Sequence, residues 1–401
     1  MATAAVIGRT FSFAHLASSS GADEDDLFDA LEAAERLHLV EEAPAGHDAR
    51  YVFVHEQIRQ TLLGELSLAR RQRLHLRVAD SLESSTGDAA AVELAHHLQQ
   101  AGPAAAPERA VTALVAAADA NLDALAFEDA LRHLENAEPL VDDEHRFDLR
   151  SMQARALRGA GRVDDALDVL DAELGTAVGT DRETAVRLQR VQLLNDQYRA
   201  SEGLDDVAAL VRAAEAGDDA DLVIDVHLAR GRAHYILSLD EPENAHESRD
   251  AYEAAYAAAR ERGDKRKMVL ALLPTTWFTD YWADYRETAS ANIDEALELA
   301  EEIGDEDLVL DALAAMMHRG GVWSDTAASE DLLARLEERR DPVKLNAHCF
   351  WMMWQYLAGG RFEDSVAMCD RGIELADLIG TQPVQYGGIK AIALSEMGRY
   401  D

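Results

Sequence analysis

One short block of residues recurs along this chain, and that internal repeat constrains its fold more than any other feature. Ala126-Phe127-Glu128-Asp129-Ala130-Leu131 returns as Gly161-Arg162-Val163-Asp164-Asp165-Ala166-Leu167, as Gly203-Leu204-Asp205-Asp206-Val207 and as Gly360-Arg361-Phe362-Glu363-Asp364-Ser365. A last copy opens at Gly398-Arg399-Tyr400-Asp401, and weaker ones fall near Glu243, Tyr285 and Thr326. Measured at Phe127 and its counterparts, the spacing is about 36 to 42 residues, the length of a helix-turn-helix unit. Each position in the block has a physical reading. The glycine ends a helix A, the aromatic or branched residue packs between helices, and the acidic pair opens a helix B at its positive dipole end, where a small alanine allows close approach.

Composition agrees with helices. The 401 residues are 48% hydrophobic with alanine dominant, only 6% aromatic, and hold 8 prolines, a balance that favours long, closely packed helices over sheets. The Gly-aromatic-acidic-acidic-Ala block resembles the tetratricopeptide repeat over about 290 residues, and eight hairpins would fill 110–401. The expected fold is therefore mainly α: a solenoid of tetratricopeptide-like hairpins (110–401) after a winged-helix module (1–84) and a helical connector (85–109). The final block stops at Asp401, where a helix B should begin, so a truncated repeat array is expected, since solenoids normally close with a polar cap.

The first 84 residues carry a different pattern. Ala22 to Asp26 supplies acidic residues for a helix start, followed by Leu27, Leu31, Ala34 and Leu37 at helical spacing. Leu37-His38-Leu39-Val40-Glu41 and Tyr51-Val52-Phe53-Val54 concentrate β-formers around Pro44, Gly46 and Asp48, which reads as a hairpin. Helices follow from His55 to Leu63 and from Leu68 to Leu82. Helix, helix, two-stranded wing, helix is a winged-helix order. Arg70, Arg71, Arg73 and Arg77 form the only dense basic cluster, readable as an exposed or interdomain helix face or as a DNA contact.

Ala5-Val6-Ile7-Gly8-Arg9-Thr10-Phe11, Leu27-Phe28-Asp29-Ala30-Leu31, Tyr51-Val52-Phe53-Val54-His55-Glu56-Gln57-Ile58-Arg59 and Arg70-Arg71-Gln72-Arg73-Leu74-His75 together resemble one multidomain family. That family is the bacterial STAND signal-transduction ATPases, including MalT-like and LuxR-type regulators and ATPases linked to adenylate cyclases. The resemblance covers the region after the ATPase core, where a winged helix leads into tetratricopeptide repeats. It implies an adjacent ATPase domain as partner, ATP or ADP as the parent's ligand, and a protein partner or small-molecule inducer on the repeats. Val54-His55-Glu56 resembles the Met-His-Asp motif of related ATPases, which implies that His55 senses the ADP phosphate. A histidine capping the next helix is the alternative.

Several functions are excluded or disfavoured. No G-x-x-x-x-G-K-[ST] occurs, so these residues have no triphosphate cradle and no cofactor is expected within the chain. No nucleophile, base and oxyanion donors group together, so an enzyme is not expected; Ser18-Ser19-Ser20 reads as a loop before a helix. The formal net charge of -38 repels a phosphate backbone, so nucleic acid is not expected as a partner through this chain, and a DNA-binding winged helix stands as a third reading that the overall charge opposes. Two cysteines, Cys349 and Cys369, lack disulfide or zinc spacing and fit a reducing cytoplasm. No apolar run is long enough to span a membrane.

Two residue groups invite a site. All five tryptophans fall between Trp277 and Trp354. Trp277, Tyr281 and Trp282 share helical spacing, as do Trp351 and Trp354, so they either line a concave ligand surface or fill gaps between hairpins. Glu93, His96 and His97 suggest metal binding, but adjacent histidines leave a helix on different sides, so no metal site is expected. The leading function is a non-catalytic regulatory and binding region of a STAND ATPase; a free-standing tetratricopeptide scaffold joining other proteins is the alternative.

Overall fold

A computed structural model describes the chain except for residues 44–48, 84–86, 143–144, 181, 283–284, 320–324, 380, 382–385 and 400–401, and except for the side chains of 279–280 and 318–319. The described residues form helices throughout and one small antiparallel sheet. They divide into two compact units, Met1–Ala156 and Leu157–Asp401.

The first unit opens with α1 (Ala2–Ile7), β1 (Thr10–Ser12), α2 (Phe13–Ser20), α3 (Glu24–Arg36), β2 (Val40–Ala43), β3 (Arg50–Phe53), α4 (Glu56–Gly64) and α5 (Leu68–Leu82). The sheet has three strands in the order β1-β3-β2, with Tyr51 paired to Phe11 on one side and Glu42 on the other. The expected pair of strands thus gains a third from Thr10 to Ser12. Three residues are too few to show alternation in the sequence; pairing with β3 is what makes them a strand. Phe11, Leu16, Leu27, Leu31, Val40, Tyr51 and Phe53 form the core beneath.

Local chemistry explains the boundaries. The Ser12 hydroxyl accepts from the His15 amide and starts α2 directly after β1. Ser18 to Ser20 form the last turn of α2 rather than a loop, and Gly21 ends it in the left-handed conformation. Asp23 caps α3, and Glu24, Asp25 and Asp26 sit in its first turn. Leu37 is 69% exposed rather than on the buried face, because α3 stops at Arg36 and His38 takes a positive φ of 54°. The β-formers Leu37 to Leu39 therefore make the turn into β2, which begins only at Val40. The hairpin residues Pro44, Gly46 and Asp48 lie outside the described residues.

Helices α6 (Asp88–Ala101), α7 (Pro107–Asp123) and α8 (Phe127–Ala137) follow, packed through buried alanines such as Ala113, Ala117, Ala130 and Ala137; α9 (Arg146–Gly159) crosses from the first unit into the second.

The second unit continues with α10 (Val163–Ala177), α11 (Glu183–Asp196), α12 (Leu204–Ala216), α13 (Ala220–Ser238), α14 (Asn244–Arg262), α15 (Lys265–Leu272), α16 (Arg286–Ile303), α17 (Glu306–Arg319), α18 (Thr326–Arg339), α19 (Pro342–Ala358), α20 (Phe362–Leu378) and α21 (Tyr386–Glu396). The repeat block opens helix B each time. α8, α10, α12 and α20 start at Phe127, Val163, Leu204 and Phe362, and α14, α16 and α18 start at or beside the weak copies at Glu243, Tyr285 and Thr326. The fold class is a solenoid of tetratricopeptide-like helical hairpins.

The glycine expected to end helix A does so at Gly161, Gly360 and Gly398, each with φ near +70°. The following amide closes each turn onto the carbonyl five residues back, as in Arg162 to Leu157 and Arg361 to Tyr356. At two blocks another residue makes this turn: Leu125 (φ 57°) and Tyr198 (φ 56°). Gly203 has ordinary φ and serves a different need, since a Cβ there would lie 3.2 Å from Leu194 Cδ1.

Cross-helix hydrogen bonds hold individual hairpins. Ser248 Oγ on α14 donates to the Gly231 carbonyl on α13 at 2.7 Å, and Ser365 Oγ on α20 to the Met353 carbonyl on α19 at 2.8 Å. A small hydroxyl at the block's alanine-type position satisfies a buried carbonyl while keeping the helices close.

Candidate functional site

Five of the tryptophan-region aromatics were grouped by sequence; the structure places them in two separate clusters. No ring contact joins the two among the described residues.

The first cluster forms where a helix A breaks. α15 ends at Leu272 and tightens into a 3-10 segment, Leu273–Asp280, with Pro274 in its first turn. Proline has no N–H for the carbonyl four residues back and its ring crowds that turn, so the α-helix cannot continue. The hydroxyls of Thr275 and Thr276 take up the carbonyls of Leu272 (2.7 Å) and Leu273 (3.1 Å). Trp277 therefore lies on a 3-10 turn, and Tyr281 and Trp282 lie beyond its end; the α-helical spacing read from the sequence is not realised.

This break turns Trp277 toward α13. Its ring stacks on Tyr235 with centroids 4.2 Å apart and an interplanar angle of 29°. The Arg232 guanidinium lies 4.8 Å from the Trp277 centroid, 5.2 Å from Tyr198 and 5.5 Å from Tyr235. A cation over three aromatic faces is held by their quadrupoles; Arg232 also hydrogen-bonds Tyr198 and acts on the Asp196 carboxylate, whose ion pair is with Arg158. Tyr252 meets Trp277 edge to face from α14, and Gly231 makes room for its ring: a Cβ at Gly231 would stand 3.0 Å from three Tyr252 carbons.

Tyr281 and Trp282 are more enclosed by their own contacts. The Tyr281 hydroxyl is 2.9 Å from Ser238 Oγ and 3.1 Å from the Ser238 carbonyl, which ties the turn to the end of α13. Trp282 packs against His246, Phe278 and Tyr285, under Arg249 at 5.1 Å. Arg249 is also paired with Asp250. The fully buried Phe278 anchors the group.

The second cluster is on α19 and α21. Phe350 meets Trp351 and Tyr386 edge-on, and Trp354 packs beside Met353, Cys369 and Ile389. Cys349 and Cys369 are buried thiols, with burial pushing both up to about 11. Trp323 lies outside the described residues.

Sequence reading found the tryptophans but missed Arg232, Tyr198, Tyr235 and Tyr252. One signal existed: Ala229-Arg230-Gly231-Arg232 puts a glycine in mid-helix, which marks a close approach.

His55 is exposed at the start of α4, in the N-cap position but with no side-chain cap bond. Beside it, Arg59 pairs with Glu56 and donates to the Ala5 carbonyl at 2.9 Å. Arg70, Arg73 and Arg77 are exposed along α5, with Arg77 donating to the Ser20 carbonyl at 3.0 Å. On α6, His96 is exposed and His97 buried, as a one-residue step requires, yet both rings lie close to His75 of α5.

The fold and the aromatic site together define a class: tetratricopeptide-like helical repeats with a cation and aromatic faces gathered where one hairpin breaks. Comparison with protein families and with curated proteins finds no match. Solved structures are similar in fold. One is a Signal Transduction ATPase with Numerous Domains (STAND) protein with a tetratricopeptide repeat sensor from Pyrococcus horikoshii, at TM-score 0.52 and 14% identity over 99% of this chain. The chain spans 59% of that protein's length. A Rap protein complexed with Competence and Sporulation Factor matches at TM-score 0.58 and 13% identity, covering 81% of this chain and 91% of that one. The quorum sensor NprR from B. thuringiensis, in its apo form, matches at 0.51 and 14%, covering 88% and 97%. At these identities the likeness is one of fold.

Proposed function

We propose that this chain is the non-catalytic sensor region of a STAND-type signalling ATPase, whose repeats bind a short peptide or small molecule at the Arg232–Trp277 site. The observation that carries the reading is the guanidinium of Arg232, held over three aromatic faces while the nearby Asp196 carboxylate pairs with Arg158. Such a group offers a carboxylate-bearing ligand a fixed fork of donors beside a stacking surface. The Competence and Sporulation Factor named for the Rap neighbour, and the sensor named for the STAND neighbour, belong to those proteins; they support a sensing role for the fold without naming this chain's ligand.

In this reading the three-stranded sheet and its helices are a winged-helix module. Its exposed His55 faces the ATPase domain of the parent and contacts ADP phosphate. Substituting His55 by alanine in a parent protein should weaken ADP binding; unchanged affinity would remove His55 from the proposal.

The ligand site is tested by tryptophan emission. A library of short peptides with free C-terminal carboxylates is titrated beside its amidated counterparts. At least one free-acid peptide should change emission, the amidated form should bind about tenfold more weakly, and Arg232→Met should abolish the difference. If no peptide alters emission, the peptide-sensing reading fails. A free-standing scaffold is the competing reading, favoured by the near-complete coverage of the Rap and NprR chains.

A further inference from the structure

Within the first unit, far from the tryptophan site in sequence, α2, α5 and α6 bring histidines to one place. His75 of α5 and His96 and His97 of α6 each offer a ligand atom, and these atoms all lie within 4.8 Å of one another. It is the only such group of histidine, cysteine or acidic side chains among the described residues. His75 Nδ1 and His97 Nδ1 are 2.9 Å apart. Two imidazole nitrogens on one tetrahedral zinc ion, with bonds of about 2.0–2.1 Å, stand about 3.3 Å apart. Small ring rotations therefore suffice.

Helix geometry alone sends His96 and His97 to different sides, and their burial obeys that rule. The third ring overcomes it: His75 comes from α5 and approaches both, its centroid 6.0 Å from His96 and 5.1 Å from His97. We infer that His75, His96 and His97 form a site for a borderline divalent transition-metal ion, Zn2+ in the first instance, that ties α5 to α6.

Four features of the surroundings fit this role. First, His75 and His97 are both buried and their Nδ1 atoms already face each other at 2.9 Å, so the two rings share one focus between α5 and α6. Second, His97 Nε2 is buried with no hydrogen-bond partner, and Glu93 Oε1 lies 3.9 Å away. With Nδ1 on the metal, the ring proton moves to Nε2 and faces that carboxylate, the arrangement that orients metal-bound histidines. Third, the nearby cations are partly offset: Arg59, which acts on His96, is already paired with Glu56, and Glu93 also faces His15 at 3.9 Å. Fourth, His96 is exposed, which gives the ion a path in and leaves a coordination position for water. Three imidazoles select zinc, cobalt, nickel or copper over magnesium or calcium.

The experiment uses the full chain, stripped with chelator and titrated with Co2+ in the presence of excess Mg2+, which occupies the surface carboxylates. One Co2+ per chain should bind with visible ligand-field bands, and Zn2+ should displace it. His96→Gln, at an exposed position that the fold does not need, should weaken binding at least about tenfold and remove the bands. His97→Gln should do the same, with circular dichroism confirming that it is folded. Absence of the bands, or stoichiometric binding that persists in His96→Gln, would overturn the inference and leave a buried histidine pair beside an acidic surface.

Discussion

The ring of Tyr386 on α21 lies directly over Gly372 on α20, so that a Cβ at Gly372 would overlap ring carbons. The tyrosine is fixed there by its hydroxyl, which donates to the Asn346 carbonyl at 2.7 Å, while Asn346 Nδ2 donates to the Gly372 carbonyl at 2.7 Å. Gly372→Ala should destabilise the protein by about 2–3 kcal/mol through overpacking. Chemical denaturation measures it, and adding Tyr386→Leu should recover part of the loss. An unchanged midpoint would mean that the ring moves aside freely.

Asp206 is buried at the start of α12 and is gripped by Arg187 and Arg190 of α11; Arg190 also reaches Asp171 of α10 at 2.6 Å. Asp206→Asn keeps the shape but removes the charge facing two guanidiniums. Because both arginines retain partial solvent contact, the cost should be roughly 2–3 kcal/mol rather than the full penalty of an isolated buried charge. The same denaturation assay reads it.

Tyr281→Phe deletes the hydroxyl that ties the 3-10 turn to Ser238. About 1 kcal/mol should be lost. Hydrogen exchange should also show faster opening at residues 273–282, because that tie closes the turn onto α13.

His348 is buried on α19, with its Nε2 2.8 Å from the Ser329 carbonyl, so the ring donates from Nε2. Burial lowers its pKa below the ordinary histidine value, against the smaller raising effect of that hydrogen bond. The unfolded chain then binds more protons than the native one as pH falls below about 6.5, and stability is lost in that direction. NMR titration should find the His348 ring still neutral at a pH where exposed histidines are half protonated. His348→Gln should show a shallower fall in stability below that pH.

Some of this was legible because it is local. Acidic residues after a glycine and an aromatic residue favour a helix start at the strong copies, and the repeat period alone placed the weak copies at or beside the starts of α14, α16 and α18. The tryptophans were visible as composition, and their division between the broken hairpin and α19 was not. Pro274 could have warned that the spacing of Trp277, Tyr281 and Trp282 would not be α-helical.

The sequence by itself determined the periodic helices, the helix starts, and the exclusion of a triphosphate cradle, because each depends on residues within a few positions of one another. Only the tertiary structure decided that Thr10–Ser12 becomes a strand, that Arg232 lies over Trp277, and that His75 meets His96 and His97. Those relationships join residues about 20 to 45 positions apart, and they are set by strand pairing in the first case and by the way one helix packs on another in the other two, which no local pattern encodes.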